Sequence, residues 1–338
     1  MAAPVAVAAG VPGDRIVFSG VGKTREEMTQ ALQGGIRQFN VESEPEMETL
    51  SAVATELGRT APITIRVNPD VAAGGHPNIS TGKKGDKFGV PWSDAEALYA
   101  EAASLPGIRV VGVDVHIGSQ ITDLTPMRLA FTKVVGLVRE LRDMGVPISR
   151  IDLGGGLGIP YKSGETPASP AEYAEMVRDV VGDLDVQLIL EPGRMIAGNA
   201  GIFVSRVEYI KERDEREFAI LDAAMNDLMR PALYQAVHEL LPVTRAEDRQ
   251  SRTYDIVGPV CESTDRFAKG YSVQELRETD LVAFMSAGAY GAVMSNQYNT
   301  RPLCAEVLVN GDQAELVRRA PTFDEMIANE RVPEWLKS

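Results

Sequence analysis

Short apolar runs rich in β-branched residues recur along the first part of the chain, each bounded by turn residues. They are RIVFS (15–19), IRQFNV (36–41), PITIRV (62–67), VVGVDVHI (110–117), SRIDL (149–153) and VQLILE (186–191). Between them the stretches 43–58, 93–104, 126–144 and 170–182 carry apolar residues at helical spacing. Near-continuous apolar strands alternating with helices mean a parallel sheet, either a (β/α) barrel or a doubly wound sheet. Near Gly198 the texture changes. GIFVSRVEYIKE, REFAILDAA, TYDIVGPV, LVAFMSAG and CAEVLVNG alternate apolar with polar positions, and few helical stretches separate them. That pattern predicts a mostly antiparallel β domain. The expected division is therefore 1–197, an α/β barrel-type domain, and 198–338, a β-sandwich or barrel-like domain.

Composition changes this picture little. Apolar residues make up 44% of the chain, enough for sizeable cores, and the net charge of −14 argues against nucleic acid and anionic membrane surfaces as partners. No apolar run has the length of a membrane span, and MAAPVAVAAGVPGD lacks the basic start of a secretion signal. Cys261 and Cys304 make no disulfide framework, and His76, His116 and His238 stand too far apart for metal-ligand spacing. The chain reads as a cytoplasmic globular protein with no metal.

One segment invites a nucleotide. FSGVGKT (18–24) ends like a phosphate-binding loop, but the first glycine of that loop should stand at position 17, which is Val17. The reading preferred is a strand, a turn and a helix from about Thr24.

Three loops carry more chemistry. DLGGGLGIPY (152–161) follows a strand, and three successive glycines let backbone N–H groups approach an anion closely. LEPGR (190–194) sets Glu191 and Arg194 at the end of the next strand, and HIGSQ (116–120) ends an earlier one. Each alone has a plain structural reading: a tight turn, an ion pair, a satisfied histidine. Their convergence on one rim is what counts. In the second part, Arg230 and Tyr234 of NDLMRPALY share a helical face. Cys261 stands beside Glu262 in GPVCESTD, and Tyr290 lies among small residues in AGAYG.

In this order, RIVFSGVGKT, KFG, HIGSQ, DLGGGLGIPY, EPGR, MNDLMRPALY, GPVCESTD and AGAYG, the motifs resemble the fold-type III pyridoxal-phosphate (PLP) decarboxylases over almost the whole chain. The resemblance implies PLP as cofactor, with His116 on its ring and Glu191 on its pyridine nitrogen. Its phosphate would be held by Ser119, Gly154, Gly155, Gly156 and Tyr290 and reached by Arg194, with Gly193 also in the cofactor site. It implies substrate contacts from Arg194, Arg230, Tyr234, Glu262 and Tyr290, and Cys261 as the proton donor, reaching across the interface of a homodimer with shared active sites. The related ornithine decarboxylases carry Asp after this Cys. The CES here, and Arg230 as a cation for a distal carboxylate, favour meso-2,6-diaminopimelate, decarboxylated to L-lysine.

The same resemblance implies a shortfall. If DLGGG ends the seventh barrel strand, RIVFS is the third, and a complete barrel has eight. The family's first strand carries AVKAN, whose Lys anchors PLP covalently, and these 338 residues contain no such motif. The expected fold is a PLP-binding (β/α)8-type barrel lacking its first two strands, roughly 70–90 residues with a leading β strand. Lys23, Lys83, Lys84 and Lys87 lie in loops; only Lys23 follows a strand's carboxyl end. Two alternatives stay open: an inactive partner or regulatory subunit of a complete homologue, or an ornithine or arginine decarboxylase.

Overall fold

The computed structural model describes residues 2–72, 87–213 and 216–337. His76, Lys83 and Lys84 lie outside the described residues. The chain forms two compact units: Met1–Ile159 with Thr166–Arg194, and Pro160–Glu165 with Met195–Ser338.

In the first unit the apolar runs become parallel strands β1 (Val17–Phe18), β2 (Gln38–Val41), β3 (Ala61–Asn68), β4 (Val90–Pro91), β5 (Ile108–Asp114), β6 (Arg150–Asp152) and β7 (Gln187–Ile189). They order as β1-β2-β3-β5-β6-β7, with β4 paired to β3. After the short α1 (Ala2–Ala8), the helices are α2 (Arg25–Gln33), α3 (Glu44–Glu56), α4 (Ala95–Ser104), α5 (Thr125–Asp143), α6 (Pro170–Val181) and α7 (Gly193–Ala197). Local sequence fixes their starts. Thr24 with Glu27 and Ser169 with Glu172 make reciprocal capping boxes, so FSGVGKT ends as a helix cap. α5 buries Met127, Ala130, Phe131, Val134, Val138 and Leu141, a stripe at helical spacing that covers the sheet.

The sheet curls into a partial barrel. Its edge strands β1 and β7 are not paired, yet Ser19 just past β1 donates to Glu191 Oε1 just past β7 at 2.8 Å, and Arg37 donates to Gln187 Oε1. The concave side is polar. On β2, Phe39 and Val41 join the apolar core, while the buried Gln38 and Asn40 hydrogen-bond each other. Asn40 also accepts from Thr64 (2.7 Å) and donates to Asp152 Oδ2 and Ser19 Oγ (3.0 Å each).

In the second unit, β8 (Phe203–Arg213), β9 (Arg216–Leu221), β10 (Leu240–Pro242), β11 (Ser251–Val257), β12 (Arg266–Gln274) and β13 (Leu281–Phe284) order as β10-β13-β8-β9-β11-β12. All pairs are antiparallel except β9 with β11, so the sheet is mixed. It nearly closes: the Tyr271 hydroxyl on edge strand β12 accepts from Leu240 N–H (3.0 Å) and donates to Leu240 O (3.1 Å) on edge strand β10. Val207, Leu221, Tyr254, Ile256, Val282 and Phe284 fill its core. A five-residue helix α8 (Arg230–Tyr234) lies between β9 and β10. The hairpin β14 (Glu306–Asn310) with β15 (Gln313–Arg318) forms a separate sheet, followed by α9 (Phe323–Ile327). Among the described residues, no helix is long and apolar enough to cross a membrane.

Candidate active site

The first unit brings its candidate residues to the carboxyl ends of β5, β6 and β7. After β6 the glycines are required by space. A Cβ on Gly155 would sit 2.2 Å from the Glu191 carbonyl oxygen, and one on Gly156 (φ +105°) 2.3 Å from that of Gly118. Gly154 (φ +62°) faces His116, whose Nδ1 would lie 2.8 Å from an added Cβ. Side chains are thus excluded where strand ends converge, and the backbone there is bare. Gly155 N–H donates to His116 Nδ1 at 3.1 Å, so that nitrogen carries a lone pair. Burial, with the Arg66 guanidinium nearby, pulls the His116 pKa down to about 4, leaving a neutral ring. Arg66 also donates to His116 O (3.3 Å) and pairs with buried Glu42 at 3.0 Å.

Arg194 is buried and donates from Nη2 to Ser119 Oγ at 2.9 Å, joining the loops after β7 and β5. Glu191 goes elsewhere, to Ser19, so the plain ion-pair reading of EPGR gives way to two separate tasks. Burial, then the neighbouring Asp152, raises the Glu191 pKa. Asp152 is raised by burial despite hydrogen bonds from Asn40 and Gly154 N–H, and buried Asp114 lies well above the usual carboxylate range. Gly193, at the start of α7, has open space where a Cβ would go.

Lys23, the lysine at a strand's carboxyl end, is turned inward. Its Nζ donates to Gly20 O and Asn40 O (2.7 Å each) and to Glu46 Oε1 (2.6 Å), and its side chain is 1% exposed. All three ammonium protons are used. This lysine ties β1 to β2 and α3. Lys87 lies over the Phe88 ring.

In the second unit, Arg230 and Tyr234 begin and end α8. Arg230 is buried, with its guanidinium carbon 4.6 Å from the centre of the Tyr161 ring, a cation–π contact. Cys261 and Glu262 lie between β11 and β12, and both are exposed, so Cys261 is not the buried structural cysteine that its residue type alone suggests. Asn299 Nδ2 lies 3.9 Å from Cys261 Sγ. Glu262 accepts from the Tyr298 hydroxyl at 2.9 Å and from Thr264, and these bonds hold its carboxyl below the ordinary value. Tyr290 sits in the left-handed region (φ 59°) between Ala289 and Gly291, with 40% of its surface exposed. Cys304 is exposed as well, but its thiol lies 3.3 Å from Asp227 Oδ1, and partial burial of the sulfur with that carboxylate pushes it up to about 12.

A neutral histidine, a bare glycine turn, a serine and guanidinium joined to each other, and a separate carboxylate suit an aromatic ring bearing a phosphate. Residues 4–198 match the model of the pyridoxal-dependent decarboxylase pyridoxal-binding domain, and the chain belongs to this family of pyridoxal-dependent decarboxylases. Within it, the relatives it is similar to include diaminopimelate decarboxylases. That of Pseudomonas fluorescens is 53% identical over 325 residues, 96% of this chain and 77% of the relative. That of Pseudomonas aeruginosa is 51% identical over 324 residues, again 96% and 77%. The crystal structure of diaminopimelate decarboxylase from Helicobacter pylori complexed with L-lysine is similar with a TM-score of 0.93 at 38% identity, covering 97% of this chain and 82% of that one.

Proposed function

We propose that the activity of this protein, once a PLP-anchoring lysine is supplied, is the decarboxylation of meso-2,6-diaminopimelate to L-lysine and CO2 with PLP. The match to diaminopimelate decarboxylases at about half identity over 96% of the chain carries the reading. The geometry supports the cofactor: the glycine turn excludes any Cβ beside Glu191 O and Gly118 O, leaving bare backbone beside a buried guanidinium. When bound, PLP supplies the electron sink for the pair released as the C–CO2 bond breaks.

The residues then divide the work. Ser119, Arg194, Tyr290 and the Gly156 N–H hold the phosphate through hydroxyl, guanidinium and backbone donors, while Gly154, Gly155 and Gly193, whose N–H groups bond Asp152, His116 and Glu191, line it with bare backbone. Glu191 holds a proton at the ring nitrogen, and the raised pKa that burial gives it falls back beside a pyridinium. His116, neutral, lies against the ring face. Arg230 and Tyr234 hold the substrate's distal carboxylate, Glu262 its distal ammonium, and Arg194 and Tyr290 the reacting end. Cys261 gives its S–H proton to the carbon that CO2 leaves, in the partner's site of a homodimer; its exposure is what that role needs. The distal carboxylate survives the reaction and becomes that of L-lysine. CO2 release from meso-diaminopimelate, with ornithine and arginine as controls, tests this; a preference for ornithine would refute it.

A second reading, an inactive partner subunit donating Cys261 to a complete homologue, draws support from Lys23, which is committed to Glu46 and two carbonyls. The genomic DNA upstream of Met1 separates the two. An in-frame AVKAN-like segment removes the second reading, whereas a stop codon there with a full-length copy elsewhere favours it.

A further inference from the structure

Arg230, His238 and Tyr161 form a buried cluster within the second unit. Arg230 Nη1 lies 2.6 Å from His238 Nε2, and His238 Nδ1 lies 2.8 Å from Met285 O. A guanidinium has only donors and keeps its proton throughout the working range, so Nε2 must present a lone pair. A carbonyl has only lone pairs, so Nδ1 must carry the hydrogen. The two contacts together force one neutral tautomer of the imidazole.

The guanidinium is thereby held twice. Tyr161 covers its face at 4.6 Å, and His238 takes its edge. Tyr161 and His238 in turn meet edge to face, centroids 5.2 Å apart at 83°. The stretches that carry these side chains are bonded to one another: Glu239 N–H donates to Tyr161 O (3.2 Å) and Met285 N–H to Glu239 O (2.8 Å). Arg230 itself closes α8, its carbonyl accepting from the N–H groups of Gln235 and Ala236. Side chain and backbone are both fixed before any ligand arrives, which lowers the ordering cost of binding.

We propose that His238 is a positioning residue: its Nε2 lone pair sets the guanidinium of Arg230 for the carboxylate that substrate and L-lysine share. This rests on the reading of Arg230 as the carboxylate holder. The test is calorimetric binding of L-lysine and of 1,5-diaminopentane, which lacks the carboxylate, to the PLP-supplied protein and its variants. His238→Leu keeps the bulk and removes the acceptor. It should weaken L-lysine about ten- to hundredfold, the effect of losing a hydrogen bond to a charged group, and leave 1,5-diaminopentane nearly unchanged. His238→Gln, with an acceptor oxygen near the place of Nε2, should restore most of the loss.

If Arg230→Leu abolishes the preference for L-lysine while His238→Leu leaves it intact, the inference about His238 falls and the reading of Arg230 stands. If Arg230→Leu leaves L-lysine binding unchanged, the reading of Arg230 itself fails. Equal weakening of both ligands by His238→Leu, unrescued by glutamine, would overturn the inference in favour of plain packing. Nitrogen NMR of histidine-labelled wild-type protein needs no variant to fold. A His238 ring bearing its hydrogen on Nδ1 at pH 7 is the expected result; hydrogen on Nε2, or a charged ring, would overturn it.

Discussion

Replacing Lys23 by methionine keeps the aliphatic stem and deletes the ammonium. Glu46, whose side chain is 7% exposed, then stays buried without its cation. The least costly response is to take up a proton. Burial already raises the Glu46 pKa above its ordinary 4.5, with Lys23 opposing the rise. At about 1.4 kcal/mol per pKa unit, holding this carboxyl neutral at pH 7 costs up to about 3 kcal/mol relative to 4.5. The part that burial already costs the wild type must be subtracted. Gly20 O and Asn40 O also lose a donor, each worth about 1–3 kcal/mol if left unsatisfied. The expected loss is about 3–5 kcal/mol, in line with other broken buried pairs. Its pH dependence follows from the sign: a raised carboxyl pKa means that wild type and variant both become protonated on acidification, so the carboxyl part of the loss shrinks from pH 7 to pH 5 and the carbonyl part remains. Urea unfolding followed by Trp92 emission reads the first unit, because Trp92 packs on its core while Trp335 is 81% exposed. Lys23→Met/Glu46→Met should recover much of the loss. A loss below about 1 kcal/mol, equal at both pH values, would refute a buried pair and reopen Lys23 as a functional group.

Gly155→Ala drives a Cβ into the Glu191 carbonyl, 2.2 Å away, so it should cost about 1–3 kcal/mol and abolish PLP binding, read by thermal melting and cofactor fluorescence; Gly193→Ala, with open space at Cβ, should leave the melt unchanged, and equal effects would contradict the crowding argument. The native pKa of His116, about 4, lies below its ordinary 6.5, so the unfolded chain takes up the extra proton. Its contribution to stability is full above pH 6.5 and is lost as pH falls towards 4, at most about 3 kcal/mol. His116→Asn, which keeps an acceptor for Gly155 N–H, should flatten that part of the urea-unfolding profile, and an unchanged slope would count against it. Both cysteines are exposed, but iodoacetamide should alkylate Cys261 well before Cys304, whose thiol, pushed up to about 12 beside Asp227, is ionised in about one molecule in ten thousand at pH 8; peptide mapping that finds Cys304 modified first would reverse this assignment.

The parallel strands were legible because apolar runs such as PITIRV and VVGVDVHI stand between turn residues, and the helices because their apolar stripes are long. What escaped was mostly polar. Gln38 and Asn40 look like strand-end residues in IRQFNV, but their alternation with Phe39 and Val41 marks an inward polar face. β12 was hidden because Lys269 and Gly270 interrupt its pattern. Gly270 takes φ +59° at a register shift in the ladder with β11, and its N–H caps Asp255. β10 has three residues and β15 is exposed throughout, so neither offers a buried period. Pro160–Glu165 continues the glycine loop in sequence yet packs with the second unit, which no local pattern announces. Of the candidate residues, Glu191, Arg194 and Ser119 were visible as motif members, but not that Glu191 would meet Ser19, 172 positions away, or that Arg194 would meet Ser119. His238 carried no signal in the chain, because its partners Arg230 and Met285 are brought to it by the fold.

The most direct measurement is release of CO2 and L-lysine from meso-diaminopimelate, with ornithine and arginine in competition. The samples are the 338-residue chain with PLP, and the same chain joined at its N-terminus to a segment carrying the AVKAN motif that the family resemblance implies. Lys23 is committed to Glu46, so the unextended chain should show negligible turnover and no borohydride-fixed PLP on Lys23. The extended chain should turn over meso-diaminopimelate and leave ornithine and arginine untouched. Turnover of ornithine or arginine in preference, or a stoichiometric PLP adduct on Lys23 with lysine formed by the unextended chain, would contradict this account.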